Sequence, residues 1–300
     1  MQIQALDLDF QNTPRVTASY LVVGPEGPVL VETGPGSTLP NLKAQLASAG
    51  YSPAEIRHVL VTHIHLDHAG AAGWWAQQGA QIYVHHVGAP HLIDPARLLS
   101  SASRIYGDQM KPLWGEMLPA PAERVTPVFD GDTIEVAGLA FAAMDTPGHA
   151  SHHHTYRLGN VAFTGDAAGI HLPDLSMVDL PAPPPEFNLE LWLATVERLQ
   201  RESFSVIYPT HFGAVTRWRR HLELFADLLK EAAGFVHGHM ERGLERDDIV
   251  REYISWQRGR LKNAGVREEA FQWYEVVNPL YMSVDGIMRY WRKKGSVPSS

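Results

Sequence analysis

The 300-residue chain contains no cysteine. Disulfides, thiolate metal sites and a cysteine nucleophile are therefore excluded. It also lacks an apolar stretch long enough to cross a bilayer, so no membrane partner is expected. The N-terminus, Met1-Gln-Ile-Gln-Ala-Leu-Asp7, has neither a basic leader nor an apolar run. No secretory signal is read there, and a cytoplasmic enzyme is the expectation. Basic residues are in deficit: 25 Lys and Arg against 33 Asp and Glu give a formal net charge of −8. That balance lacks the basic footprint of a general nucleic-acid binder, and no nucleic acid is expected as a partner. Arg217, Arg219 and Arg220, and likewise Arg292, Lys293 and Lys294, read as solvated helix faces or tails. No Gly-X-Ser-X-Gly elbow offers a serine nucleophile. Gly34-Pro35-Gly36 lacks the spacing and the lysine of a phosphate loop.

What is present is an ordinary globular composition, 45% hydrophobic and 19% charged, together with 16 histidines. A chain of this length buries a substantial core without staples. Strand signals at Val16 to Val23, Pro28 to Thr33, Val59 to Thr62 and Gln81 to Val84 alternate with helical patterns at Thr38 to Ala49 and Ala69 to Gln78. Ser52-Pro53-Ala54-Glu55 reads as a capped helical turn. Apolar residues from about 91 to 119 recur at helical spacing, broken by Pro95, Gly107 and Pro112, and predict a helical insertion. Strands are expected at Val125 to Phe129, Thr133 to Val136, Leu139 to Asp145, His153 to Leu158, Val161 to Thr164 and Ser205 to Tyr208. A proline-rich loop covers Leu180 to Pro185, and a helix Leu189 to Gln200. Helices at Arg217 to His239, Leu244 to Leu261 and Glu268 to Trp291 complete the pattern. The expected organisation is a layered α/β catalytic domain over 1–215, carrying the insertion, and a C-terminal helical region over 216–300.

The histidines are not scattered. Thr62-His63-Ile64-His65-Leu66-Asp67-His68-Ala69-Gly70 places four ligand-type side chains within six residues. His63 and His65 are expected at a strand's end, and Asp67 and His68 in the turn before the next helix. Three further candidates each follow a strand-like run: His149 in Thr146-Pro147-Gly148-His149, Asp166 in Phe163-Thr164-Gly165-Asp166, and His211 in Tyr208-Pro209-Thr210-His211. Neutral imidazole and carboxylate suit zinc, and also iron or manganese. Five histidines and two aspartates are too many for one tetrahedral ion. They suit two divalent ions, zinc being the expected metal, sharing a bridging carboxylate.

These motifs, in this order, resemble the metallo-β-lactamase superfamily over roughly residues 16 to 215. The resemblance implies a four-layer αββα sandwich with the site at one edge between two β-sheets. It further implies that His63, His65 and His149 hold a first metal, that Asp67, His68 and His211 hold a second, and that Asp166 bridges both. Glu32 in Glu32-Thr33-Gly34 stands where the family usually has aspartate, and its implied role is to support the metal-binding loop. The implied function is a dinuclear metal-dependent hydrolase, with a metal-bridging hydroxide attacking an ester, thioester or lactone in a glyoxalase-II-like or lactonase-like manner. The alternatives are a nuclease or phosphodiesterase of the same fold and a non-haem iron redox enzyme. Asp67 is also the candidate acceptor of the water proton. The expected partner is a small-molecule substrate, and homodimerisation is left open. His152, His153 and His154 are read as a polar strand start, His85 and His86 as structural, His237 and His239 as exposed, and His171 as lying on an active-site loop. The insertion is read either as a lid with an apolar wall or as packing on the body. Trp273, Tyr274, Tyr281, Tyr290 and Trp291 are read as core or interface.

Overall fold

The computed structural model describes residues 1–172, 177–266, 271, 275–276 and 278–295. The layers follow from the alternation of apolar side chains along each strand. In β2 (Ala18–Gly24), β3 (Gly27–Val31) and β4 (His58–Leu60) most residues are apolar and buried. Successive side chains in a strand face opposite ways. Tyr20, Val22, Val29, Val31 and Leu60 therefore join one core, and Leu21, Leu30 and Val59 join another. A sheet apolar on both faces must be covered on both.

The first sheet has six strands in the order β1-β2-β3-β4-β5-β6, with β1 Gln2–Asp7, β5 Gln81–His85 and β6 Val125–Val128. Its first three strands pair antiparallel and the rest parallel. The second sheet has five, ordered β13-β10-β9-β8-β7: β7 Thr133–Val136, β8 Leu139–Asp145, β9 His154–Leu158, β10 Val161–Gly165 and β13 Val206–Pro209. A hairpin, β11 (Ile170–Leu172) with β12 (Met177–Asp179), stands apart. Phe141, Tyr156 and Phe163 of the second sheet meet Tyr20 and Val31 of the first in the central core. On the outer face of the first sheet, α1 (Leu39–Ser48) buries Leu42 and Leu46, and α3 (Ala72–Gln77) buries Trp75. On the outer face of the second, α7 (Leu189–Gln200) supplies Trp192 and α8 (Trp218–Glu241) supplies Phe225 and Leu229. These are the four αββα layers.

The C-terminal helices α9 (Arg246–Asn263) and α10 (Leu280–Gly295) enter that same outer core through Ile249, Tyr253, Val284 and Ile287. Tyr290 is buried there and Trp291 packs against it. Tyr281 is exposed. Trp273, Tyr274 and the start of the helix expected from Glu268 lie outside the described residues. His237 and His239 are half-buried, not exposed: His237 stacks on Trp291 at 4.0 Å, and His239 Nδ1 donates to Phe235 O at 2.8 Å. No helix of the described residues is long and apolar enough to cross a membrane.

The insertion folds as α4 (Ala89–Ile93), α5 (Ala96–Tyr106) and α6 (Met110–Trp114). Its return leg lies flat against α3: a Cβ on Gly73 would meet Leu118 O at 1.8 Å, so only glycine permits the approach. The helix expected at Ala69 to Gln78 is divided. A one-turn α2 (Leu66–Ala69) precedes α3, because Ala71 N–H turns aside to donate to Gly34 O at 2.9 Å. Asp67 and His68 thus sit inside α2, not in a turn ahead of a helix. His63 lies three residues beyond β4.

Candidate metal centre

All seven candidate ligands converge at one edge of the sandwich. They come from the β4–α2 segment and from the ends of β8, β10 and β13. His65 Nδ1 lies 2.9 Å from His63 Nε2 and 2.8 Å from His149 Nε2, so three ring nitrogens face a common point. A second group gathers Asp67, His68 and His211, with Asp67 Oδ2 3.6 Å from His68 Nε2 and 3.3 Å from His211 Nε2. Asp166 stands between them. Its Oδ2 is 3.3 Å from His149 Nε2, and its Oδ1 is 3.3 Å from His68 Nε2 and 3.6 Å from His211 Nε2.

Three of the rings are oriented from their far side. His149 Nδ1 donates to Pro181 O at 2.8 Å, and His211 Nδ1 to Val16 O at 2.9 Å. His68 Nδ1 donates to Glu32 Oε1 at 3.2 Å. These bonds fix tautomers with the other nitrogen's lone pair facing the cluster. Glu32 is 1% exposed and also accepts from Thr62 N at 3.2 Å, Thr62 Oγ1 at 2.5 Å and Thr210 Oγ1 at 3.2 Å. It thereby ties the His63 loop to the His211 loop, through a left-handed backbone at φ 66°. The longer glutamate reaches its partners.

The histidine triplet resolves into distinct jobs. His153 is fully buried, and its Nε2 accepts from Asp166 N–H at 3.1 Å while Nδ1 donates to Thr146 Oγ1 at 2.8 Å. It holds the backbone of Asp166, a role the reading of a polar strand start missed. His153 directly precedes β9 and Asp166 directly follows β10, the strand paired with it, and the linear sequence does not display the contact this makes. His154 and His85 both face Asp145 Oδ1, at 2.7 and 3.4 Å. His85 Nδ1 accepts from Val87 N–H, so its proton sits on Nε2 and goes to the carboxylate. These three form a further group that could hold a metal ion, and His154 Nδ1 has no hydrogen-bond partner among the described residues. His152 packs beside His63 and His65 and faces Glu186 at 3.4 Å. His171 exchanges backbone hydrogen bonds with the His211–Phe212 segment, and its Nδ1 donates to Phe212 O at 3.0 Å. It steadies the His211 loop.

Electrostatics divide the two groups. Burial and neighbouring imidazoles push His63 well below its ordinary value and His65 down to about 4, and burial likewise lowers His149. All three are neutral donors. Burial opposes charge on His68 and His211 as well, but Asp166, Asp67 and, at His68, Glu32 outweigh it and raise both. Burial resists ionisation of Asp166, yet His68, His149 and His211 hold it well below the usual carboxylate range. Among the described residues, two buried atoms of the seven candidate ligands, His68 Nε2 and Asp166 Oδ1, have no hydrogen-bond partner. Orphaned lone pairs of this kind are costly unless something accepts them. Buried imidazoles, ionised carboxylates and orphaned polar atoms aimed inward are a set that fits divalent cations.

The sequence profile of the metallo-beta-lactamase superfamily matches residues 12–211, two thirds of the chain. This chain belongs to the metallo-beta-lactamase superfamily. Among its relatives is the atrochrysone carboxyl ACP thioesterase of Aspergillus fumigatus, 30% identical over 211 residues. That alignment covers 69% of this chain but 40% of the relative, so the chain spans less than half of it. A metallo-beta-lactamase fold-containing protein of Sulfurisphaera tokodaii is 23% identical over 68% of this chain and 75% of its own. Among solved structures, a metallo-beta-lactamase family protein from Thermus thermophilus superposes with a TM-score of 0.70 at 20% identity, covering 99% of this chain and 95% of that one. At that identity the likeness shows the fold.

Proposed function

We propose that this member of the superfamily is a metal-dependent hydrolase with two divalent ions at the centre, zinc by preference, acting on a thioester. The observation that carries the reading is Asp166, whose two oxygens face different histidine groups. His63, His65 and His149 would hold one ion, Asp67, His68 and His211 the other, with Asp166 shared between them. Such ions lower the pKa of bound water to about 7 and polarise a carbonyl oxygen. The remaining work falls to the chain. Asp67 is the more open of the two carboxylates, 24% exposed against 3% for Asp166, and it lines the cavity. It accepts the proton as water oxygen bonds to the carbonyl carbon, and returns it to the departing sulfur as the C–S bond breaks. Glu32, His153, Pro181 and Val16 keep the ligands in place. The relatives named as thioesterases support the thioester; ester and lactone carbonyls present the same chemistry.

The test is elemental analysis of metal-replete protein, followed by assays on thioester, ester, lactone, β-lactam and phosphodiester panels. The expected result is two ions per chain and thioester hydrolysis that chelation abolishes. Fewer than two ions, a preference for phosphodiesters, or oxygen uptake in place of hydrolysis would overturn the reading.

A further inference from the structure

The cavity above the centre has a volume of about 180 Å³ and reaches Asp67, His65, Asp166 and His211 at its floor. Its walls are largely apolar: Leu98, Ile105, Tyr106 and Trp114 come from the insertion and Met282 from α10, with Phe10 and prolines of the 181–185 loop completing them. Phe10 stacks on Trp114 at 5.5 Å and 19°, and Tyr106 meets Trp114 edge-on at 5.1 Å. Interlocked rings of this kind hold the Tyr106 side chain in position. Its hydroxyl donates to Met282 Sδ at 3.6 Å. A thioether is a weak acceptor. A strong donor is therefore placed among carbon atoms with a poor partner, inside the space an organic substrate would fill.

We propose that Tyr106 is a specificity-determining residue: its hydroxyl leaves Met282 and donates to an oxygen carried by the substrate's acyl group, beyond the scissile carbonyl. The proposal rests on the hydrolase reading for the word substrate, but not for the binding it describes. An acyl group with no such oxygen leaves the hydroxyl on sulfur and gains nothing. One with an acceptor at that depth replaces a weak hydrogen bond with a good one, worth roughly five- to tenfold in affinity.

A matched pair tests this. The thioesters of 3-benzoylpropanoic and 4-phenylbutanoic acid share a skeleton and differ by one ketone oxygen, and the free acids serve as ligands. In the metal-replete wild type, the keto acid binds about five- to tenfold more tightly by calorimetry, and its thioester shows the lower KM. Tyr106→Phe erases that difference, leaves the plain compound unaffected, and keeps the wild-type melting temperature. Met282→Leu, which removes the sulfur, keeps the preference. Equal binding of the two acids to the wild type, or equal losses on both in Tyr106→Phe, would overturn the proposal. So would matching falls in melting temperature for both variants with the preference intact, since Tyr106 would then only fasten the roof. If no thioester is hydrolysed but the acids still divide as described, the hydrolase reading fails and the role of Tyr106 stands.

Discussion

Glu32 concentrates several structural duties in one side chain. It accepts from His68 and from donors on two further loops. Glu32→Ala removes these bonds and leaves buried donors unpaired, so affinity for an ion on the His68 side is expected to fall about 10- to 100-fold. Competition titration with a chelating dye measures it, and an unchanged affinity refutes the role. His153→Ala is expected to weaken binding over a similar range by freeing the backbone of Asp166. His221 gives a prediction in pH. Its Nε2 donates to Ala168 O at 2.7 Å, and burial pushes its pKa down from 6.5 to about 4. The unfolded chain therefore takes up a proton that the folded chain refuses. The stability His221 confers is whole above pH 6.5 and shrinks as pH falls towards 4, by about 3 kcal/mol at most. Denaturant titrations of wild type and His221→Asn should converge across that window, and parallel curves would contradict it. The candidate ligands were legible as a set because each stands in a short motif beside a turn, and the fold brings all seven together. His153 and the carbonyls of Val16 and Pro181 were not, because their work depends on neighbours brought close only by the fold.

Among the elements, the strand–loop joints matter most. Gly148 has φ 133°, and a Cβ there would lie 2.3 to 2.5 Å from Trp192 atoms of α7. Gly148→Ala should cost about 1–3 kcal/mol from backbone strain alone, with the clash added. Because His149 is the next residue, metal affinity should drop with stability. A chemical-denaturation curve and a metal titration on the same sample check both, and loss of one without the other would separate His149 from the joint. Most strands and helices were readable from apolar periodicity, and α7 falls on the predicted residues. The failures have local causes. β1 carries mixed polar and half-exposed positions, so its alternation gives little signal. The β11–β12 hairpin is three residues on each side. The break between α2 and α3 depends on a hydrogen bond to Gly34, remote in sequence.

For the whole molecule, the decisive fact is that helices following residue 215 share one core with the second sheet. Phe225 is fully buried and meets Trp192 at 5.4 Å, joining α8 to α7. Phe225→Ala is expected to cost about 3–5 kcal/mol. It should lower a single unfolding transition, seen alike by tryptophan fluorescence and far-ultraviolet circular dichroism. Two separated transitions would mean that the C-terminal helices fold on their own. A different division runs through the molecule. The candidate ion-binding floor follows strand ends, whereas much of the wall over it comes from a detour between β5 and β6 and from the last helix, the rest from Phe10 and the 181–185 loop. Neither the detour nor the last helix carries any of the seven floor residues. Substitutions in either one can therefore change what the cavity admits without replacing a candidate ligand beneath it.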